Sequence, residues 1–374
     1  MAFVLTALKE TQAGERRTAV TPTTVPRLQK IGADIRLASG CGESAQFADA
    51  LYSGCRIEAD QEQLLRHVNV LLAVHLPPLP VIRALKPGTV LLSFIHGANV
   101  PDQVRALRDG RISAFAMEQI PRISRAQTMD ALSSQAALAG YIAVLLGAAQ
   151  MPRILPMMTT AAGSLRAAKV LVMGLGVAGL QALATARRLG AVTEGYDVRP
   201  ATREEAQSLG AKFVDTGIDA RAAGGYAREL TEEEKAKVAE VIGRHIAEAD
   251  LIVTAASVPG RPAPRLVSAA QIAAMKPGSV IVDIGAESGG NCEGTEPGAT
   301  VVRGPVTILG PLNLPSMVAQ HASELYAKNL LNLLSVIVKD GAPQIDLADE
   351  IVAATLLTHD GTIRNPAVLS AIHS

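Results

Sequence analysis

The sequence predicts an α/β protein of two domains, each a mostly parallel, doubly wound sheet, with a cleft between them. Three observations carry this. Short all-apolar runs alternate with helical stretches along the chain, the pattern of parallel strands covered on both faces by crossover helices. At 374 residues the chain is too long for one ordinary core. The alternation restarts near Lys169, so both halves share one architecture.

In order, the first set has strands at 3–8, 34–38, 69–74, 90–95 and 112–117, with helices at 23–31, 61–66 and 101–109. The second has strands at 170–173, 192–196, 212–214, 251–255, 280–284 and 307–309. A long helix over 316–338 would return the chain to the first domain, which residues beyond about 346 complete. The expected domains are therefore 1–132 with 318–374, and 133–317.

Composition narrows the function. With 35 basic and 35 acidic side chains, no net field draws the chain to nucleic acid or an acidic membrane. Aromatic residues are 3% with no Trp, which disfavours a base-stacking surface. The core must come from Ala, Val, Leu and Ile. Cys41, Cys55 and Cys292 are odd in number and lack C-x-x-C spacing, so they read as reduced thiols rather than a disulfide or metal site. No charge occurs between Asp130 and Arg153, but Ser133, Ser134, Gln135 and Gln150 trim the apolar part to 136–149, too short to span a bilayer. The N-terminus lacks a basic n-region and meets Lys9, Glu10 and Glu15 early, so it reads as a first strand. A soluble chain without direct membrane insertion is expected.

The second set opens with KVLVMGLGVAGLQALATARRLGA. Gly174, Gly176 and Gly179, with Val177 and Ala178 between the last two, form G-x-G-x-x-G after a strand and at the start of a helix. Gly174 permits the tight turn, Gly176 lets the backbone approach a pyrophosphate, and Gly179 allows close helix packing. The helix N-terminus offers free N–H groups to the phosphates. Asp197 ends the next strand, where a carboxylate accepts the adenosine ribose hydroxyls and favours NAD(H) over NADP(H). Arg199 complicates that preference, since arginine can neutralise a 2′-phosphate. A Rossmann-like nucleotide domain follows, and the shared rhythm makes the first domain Rossmann-like too.

The densest polar segment is PRISRAQTMDALSSQAALAGY, residues 121–141. Arg122, Arg125, Gln127, Asp130, Ser133, Ser134 and Gln135 lie between an expected strand and an uncharged helical run. This is the donor and acceptor set that a nicotinamide carboxamide and ribose require, held on a loop. A solvated loop with a serine-capped helix accounts for the same residues.

The string resembles the nicotinamide-site loop of the NAD(H)-binding alpha subunit (its soluble domain I) of proton-translocating NAD(P) transhydrogenases, in the alanine dehydrogenase/transhydrogenase family. The resemblance runs through Asp197-Val198-Arg199-Pro200, the GGYA segment with Tyr226, and residues 254–268, 282–292 and 312–323. It implies that Arg122, Gln127, Asp130 and Ser133 grip NAD(H), and that Tyr226 sits on a mobile loop; from the residues alone, Tyr226 reads as incidental to a surface connection. Ala255 and Ala256, with Val258, would pack on the nicotinamide side, with Pro259 and Pro262 stiffening that edge. The implied reaction is direct hydride transfer from NADH to NADP⁺ held on a partner beta subunit. It needs aligned rings and excluded water rather than an acid or base. Gln127 would bridge toward the second nucleotide, with Arg122 and Asp130 fixing the loop. The implied assembly is a homodimer, cytoplasmic and peripheral on the inner membrane face. There it would meet membrane-spanning subunits on separate polypeptides, which couple transfer to proton translocation.

Two alternatives stand beside this reading. Alanine dehydrogenases of the same family need a substrate Lys and a catalytic His; His75 occupies the Lys position, while His96 matches, and Arg16 and Arg17 lie in the carboxylate-binding segment. A non-catalytic NAD-binding regulatory protein would keep the fingerprint without the chemistry.

Overall fold

A computed structural model of the protein describes residues 3–199, 201–218, 231–257 and 262–373. The chain divides into two compact units, 1–135 with 316–374, and 136–315. Both are mixed α/β with mostly parallel sheets.

The sheet of the first unit has eight strands, in the order Thr362–Ile363, Leu356–His359, Ser113–Ala116, Val90–Phe94, Val70–His75, Phe3–Ala7, Ala33–Ala38 and Arg56–Glu58. The first six in sequence order pair in parallel; Leu356–His359 runs antiparallel to Ser113–Ala116 and to Thr362–Ile363. The central strands read as unbroken apolar runs because both faces are covered. Val70, Leu72 and Leu92 face a core closed by Tyr326, Leu330 and Leu334 of the long helix Ala319–Ile337. Leu71 and Leu91, one residue out of phase, face Ile82, Val104 and Leu107 on the other side.

The sheet of the second unit has seven strands, in the order Lys212–Phe213, Val192–Tyr196, Lys169–Met173, Leu251–Thr254, Val280–Asp283, Val306–Leu309 and Thr300–Arg303, with only the last antiparallel. Strand order reverses between Lys169–Met173 and Leu251–Thr254, and the carboxyl ends beside such a reversal form a ligand crevice. A short exposed hairpin, Met158–Thr160 with Gly163–Leu165, stands apart from the sheet.

One sequence expectation needs correction. The uncharged helix runs Ala131–Gln150, not 136–149, and its 20 residues are long and apolar enough, by length and composition, to cross a membrane. Ser133–Gln135 do not end it, because their side chains are held by neighbours: Ser134 Oγ donates to Asn329 Oδ1 (2.8 Å) and Gln135 Oε1 accepts from Arg17 (2.9 Å). Further along, one side of the helix packs against the second unit. A Cβ at Gly140 would lie 2.0 Å from the Ala178 carbonyl oxygen, and one at Gly147 2.4 Å from Leu251. Gly140 is therefore required by close backbone packing, whereas at Gly147 the neighbour is the end of a leucine side chain.

Candidate functional site

At the strand-order reversal of the second unit, Gly174 follows Met173 with φ +93°, a conformation that favours glycine. The turn has no room on two sides. A Cβ at Gly174 would come within 2.7 Å of the Ala256 nitrogen, and one at Gly179 within 1.9 Å of the Gly174 carbonyl oxygen. At Gly176 a Cβ would meet nothing within 4 Å among the described residues, so that glycine faces open space there. Gly176 precedes the helix Val177–Arg188, whose N-terminus has no side-chain cap. Its first N–H groups, with Val177 and Ala178 in the opening turn, are left for an outside acceptor. Two tight glycines under one open glycine, at an uncapped helix start, fit a dinucleotide pyrophosphate.

Asp197 locks this turn to the next strand. Its Oδ2 accepts the Leu175 N–H at 2.7 Å and Arg199 Nη2 at 2.9 Å; Oδ1 accepts the Arg199 N–H (2.8 Å) and Nε (3.0 Å). Burial works to raise this carboxyl, but the Arg199 guanidinium and the two backbone N–H groups hold it below the usual carboxylate range. Arg199 thus neutralises Asp197, an arrangement the sequence left open. Val198 beside them is exposed.

Ala255 and Ala256 lie against Gly174, and Asn291 fixes them. Its buried amide accepts from Ala256 N (3.2 Å) and donates to Ala256 O (2.9 Å) and Pro264 O (2.8 Å), clamping the chain on both sides of 257–263. Buried Asp283 secures the same region, accepting from Thr254 Oγ1, Cys292 N and Thr295 Oγ1.

Arg122, Gln127, Asp130 and Ser133 belong to the first unit, and the glycine fingerprint to the second. The Arg122 and Gln127 side chains are exposed and make no hydrogen bond or ion pair among the described residues. Asp130 turns inward on the chain: its Oδ1 accepts the Ser133 N–H (2.9 Å) and its Oδ2 the Ser133 hydroxyl (2.6 Å), capping the start of the Ala131–Gln150 helix. Arg125 grips Asp349 with both nitrogens at 2.7 and 2.8 Å, and its guanidinium brings that carboxyl down to about 2. The Thr128 carbonyl accepts amide donors from Asn329 (2.9 Å) and Asn332 (3.0 Å). Two free side chains thus stand on a loop pinned at several points. Tyr226 and Val258 lie outside the described residues.

A second polar cluster, at the carboxyl ends of Phe3–Ala7 and Val70–His75, surrounds Glu15. Arg17 is buried and donates to Glu15 and to Gln135. His75 Nε2 lies 2.7 Å from Glu15 Oε2. His96 stands apart from these bonds; its ring stacks on Phe94, and Glu118 accepts its backbone N–H at 2.6 Å.

Sequence reasoning missed Asn291, Asn329, Asn332 and Asp349. The available signal was the pair of asparagines in NLLNLL, polar residues of low helix propensity inside an apolar helical run.

Comparisons with known proteins give the family. The N-terminal domain of alanine dehydrogenase/PNT matches residues 6–139, and the C-terminal domain residues 143–366. The chain is 44% identical over 373 residues to the first of the parts that make up NAD(P) transhydrogenase subunit alpha of Rhodospirillum rubrum, covering 96% of this chain and 97% of that one. The solved transhydrogenase from Sinorhizobium meliloti superimposes with a TM-score of 0.85 at 40% identity, covering 97% of this chain and 99% of that one. An L-alanine dehydrogenase structure shares the fold, with a TM-score of 0.81 at 23% identity and 99% of both chains covered. With two domain matches end to end and a relative this similar over nearly its whole length, the chain belongs to the alanine dehydrogenase/PNT family.

Proposed function

We propose that this chain is the NAD(H)-binding component of a proton-translocating NAD(P) transhydrogenase. In this reading it positions NADH for hydride transfer to NADP⁺ on a partner beta subunit. The observation that carries the reading is the pair of unengaged side chains, Arg122 and Gln127, on a loop whose backbone is otherwise tied down. The reduced nicotinamide supplies the hydride, which passes from one ring C4 to the other with no proton to place. The protein therefore has to orient and dehydrate rather than donate or accept protons. The Gly174–Gly179 turn and the uncapped helix hold the pyrophosphate, while Asp197, with Arg199 swung aside, accepts the ribose hydroxyls. Ala255 and Ala256 back the nicotinamide half, and Asp130 and Ser133 present carboxylate and hydroxyl to its carboxamide and ribose. Gln127 reaches toward the second nucleotide, and Arg122 steadies the loop.

The test mixes the purified chain with an NADP(H)-binding transhydrogenase partner and an NAD analogue. Transfer is expected only in the mixture, and Gln127→Asn should slow it about tenfold or more while NADH affinity stays within about threefold. Transfer unchanged in that variant would remove Gln127 from the mechanism; none in the wild-type mixture would remove the proposal.

The alanine-dehydrogenase-like reading requires pyruvate and ammonia to oxidise NADH with this chain alone. The commitment of buried Arg17 to Glu15 and Gln135 speaks against Arg17 as a carboxylate receptor.

The reading includes a homodimer, peripheral on the cytoplasmic face through membrane-spanning subunits. Its support within the chain is apolar surface in the second unit. Met157 is 71% exposed and Leu165 55%, on and beside the hairpin. The segment leading to it lines a cavity of about 640 Å³ with Leu145, Met151, Ile154 and Leu155. Exposed apolar side chains grouped in this way mark a site of association. Sedimentation velocity is expected to show a dimer, shifted to monomer by Met157→Glu with Leu165→Glu. A wild-type monomer, or a variant that stays dimeric, would refute this interface.

A further inference from the structure

We propose that Asn329 and Asn332 are positioning residues for the 121–130 loop, holding Gln127 at the height that hydride transfer requires. The inference rests on the transfer reading above, but its structural half can be tested without it. Asn329 and Asn332 stand one turn apart on the helix Ala319–Ile337, a spacing that puts both on one face. Their two Nδ2 groups converge on a single acceptor, the Thr128 carbonyl, at 2.9 and 3.0 Å. That carbonyl belongs to the residue immediately after Gln127. Asn329 also accepts the Ser134 hydroxyl at 2.8 Å, so one buried amide joins the loop to the first turn of the helix that Asp130 caps.

Nothing in local propensity requires these residues. Asparagine disfavours helix interiors, and leucine at 329 would extend the apolar core formed by Leu330, Leu333 and Leu334. Without the two donors the Thr128 carbonyl would lose its side-chain partners, and the loop would be left to the Arg125–Asp349 pair and to the buried side chains of Ala126 and Met129, none of which bonds the peptide that follows Gln127. Gln127 makes no side-chain bond of its own among the described residues, so its reach is set by its backbone alone. A small drift of that backbone costs rate far more than affinity, because transfer needs near-attack distance while binding is spread over the dinucleotide.

The test uses Asn332→Ala and Asn332→Asp, at a half-buried position where folding should survive, with Asn329→Ser as the buried counterpart. Asn332→Asp is nearly isosteric but cannot donate, so it separates the hydrogen bond from packing. The local readout is tryptic cleavage after Arg122 and Arg125, expected to accelerate about tenfold in both Asn332 variants at unchanged melting temperature. The functional readout is transfer in the reconstituted mixture, where kcat should fall about tenfold while the NADH Kd stays within about threefold. Wild-type cleavage rates in both variants would overturn the hold on the loop. So would Asn332→Asp behaving as wild type while Asn332→Ala does not, which would make the role one of packing. Faster cleavage with kcat unchanged would overturn the link to Gln127. If the wild-type mixture transfers no hydride, the functional reading fails, while the cleavage rates still decide whether the asparagines hold the loop.

Discussion

Gly179→Ala is expected to weaken NADH binding by at least ~100-fold, about 2.7 kcal/mol, and to lower the melting temperature as well. The methyl group would sit 1.9 Å from the Gly174 carbonyl oxygen, so backbone on one side of the turn must move. Gly174 cannot retreat, because Ala255 and Ala256 fill the space beside it and Asn291 pins Ala256 from behind. The helix start must move instead, taking with it the N–H groups offered to the pyrophosphate. Gly176→Ala separates ligand approach from folding. Its Cβ would meet no atom of the described residues within 4 Å, so the melting temperature should stay within a degree or two while NADH affinity falls about tenfold or more. Fluorescence titration of NADH beside a thermal melt reads both effects. Full affinity in Gly176→Ala would show that the open side of the turn is not where the phosphates lie.

Central parallel strands are legible in the sequence because burial on both faces leaves no polar residue to break the run. LLAV at 71–74 and VLVM at 170–173 lie within observed strands. The antiparallel edge, Leu356–His359 with Thr362–Ile363, and the hairpin Met158–Thr160 with Gly163–Leu165 are not. These strands have two to four residues, too few for a period to register. The start of the Ala131–Gln150 helix is hidden because Ser133, Ser134 and Gln135 resemble a boundary when their partners at 329 and 17 are out of view. The candidate loop stands out because Arg122, Gln127, Asp130 and Ser133 are neighbours in sequence. The residues that hold it do not: Asn329 and Thr128 are 201 positions apart, and no local pattern brings them together.

Replacing Glu15 should produce the largest change in stability. Glu15→Gln is expected to cost about 3–5 kcal/mol at pH 7, because it leaves a buried guanidinium without its counter-charge. The carboxylate is fully buried. Oε1 accepts from Arg16 N, Arg17 N, Arg17 Nε and Ser316 Oγ at 2.6–2.9 Å, and Oε2 from Arg17 Nη2 (2.6 Å) and His75 Nε2 (2.7 Å). A glutamine amide can accept on one side only, and its NH₂ would face the Arg17 donors. Burial pushes the Glu15 carboxyl upward, but Arg17, His75 and Ser316 outweigh it and hold the group far below the usual range. Its folded pKa is therefore depressed. The contribution is complete above the unfolded value of about 4.3 and is lost as pH falls below it, at about 1.4 kcal/mol per pH unit. Urea midpoints from pH 7 to pH 3 should show the wild type and Glu15→Gln converging below about pH 4. Glu10, raised by burial near His75, has the opposite sign: its proton is bound more tightly in the folded state, so Glu10→Gln should steepen the acid loss rather than flatten it. Parallel pH profiles for wild type and Glu15→Gln would mean that the buried charge is not what binds the Ser316 end of the chain to Arg17. Convergence would locate the closure of the first unit in one carboxylate, reached by a donor 301 residues further along the chain.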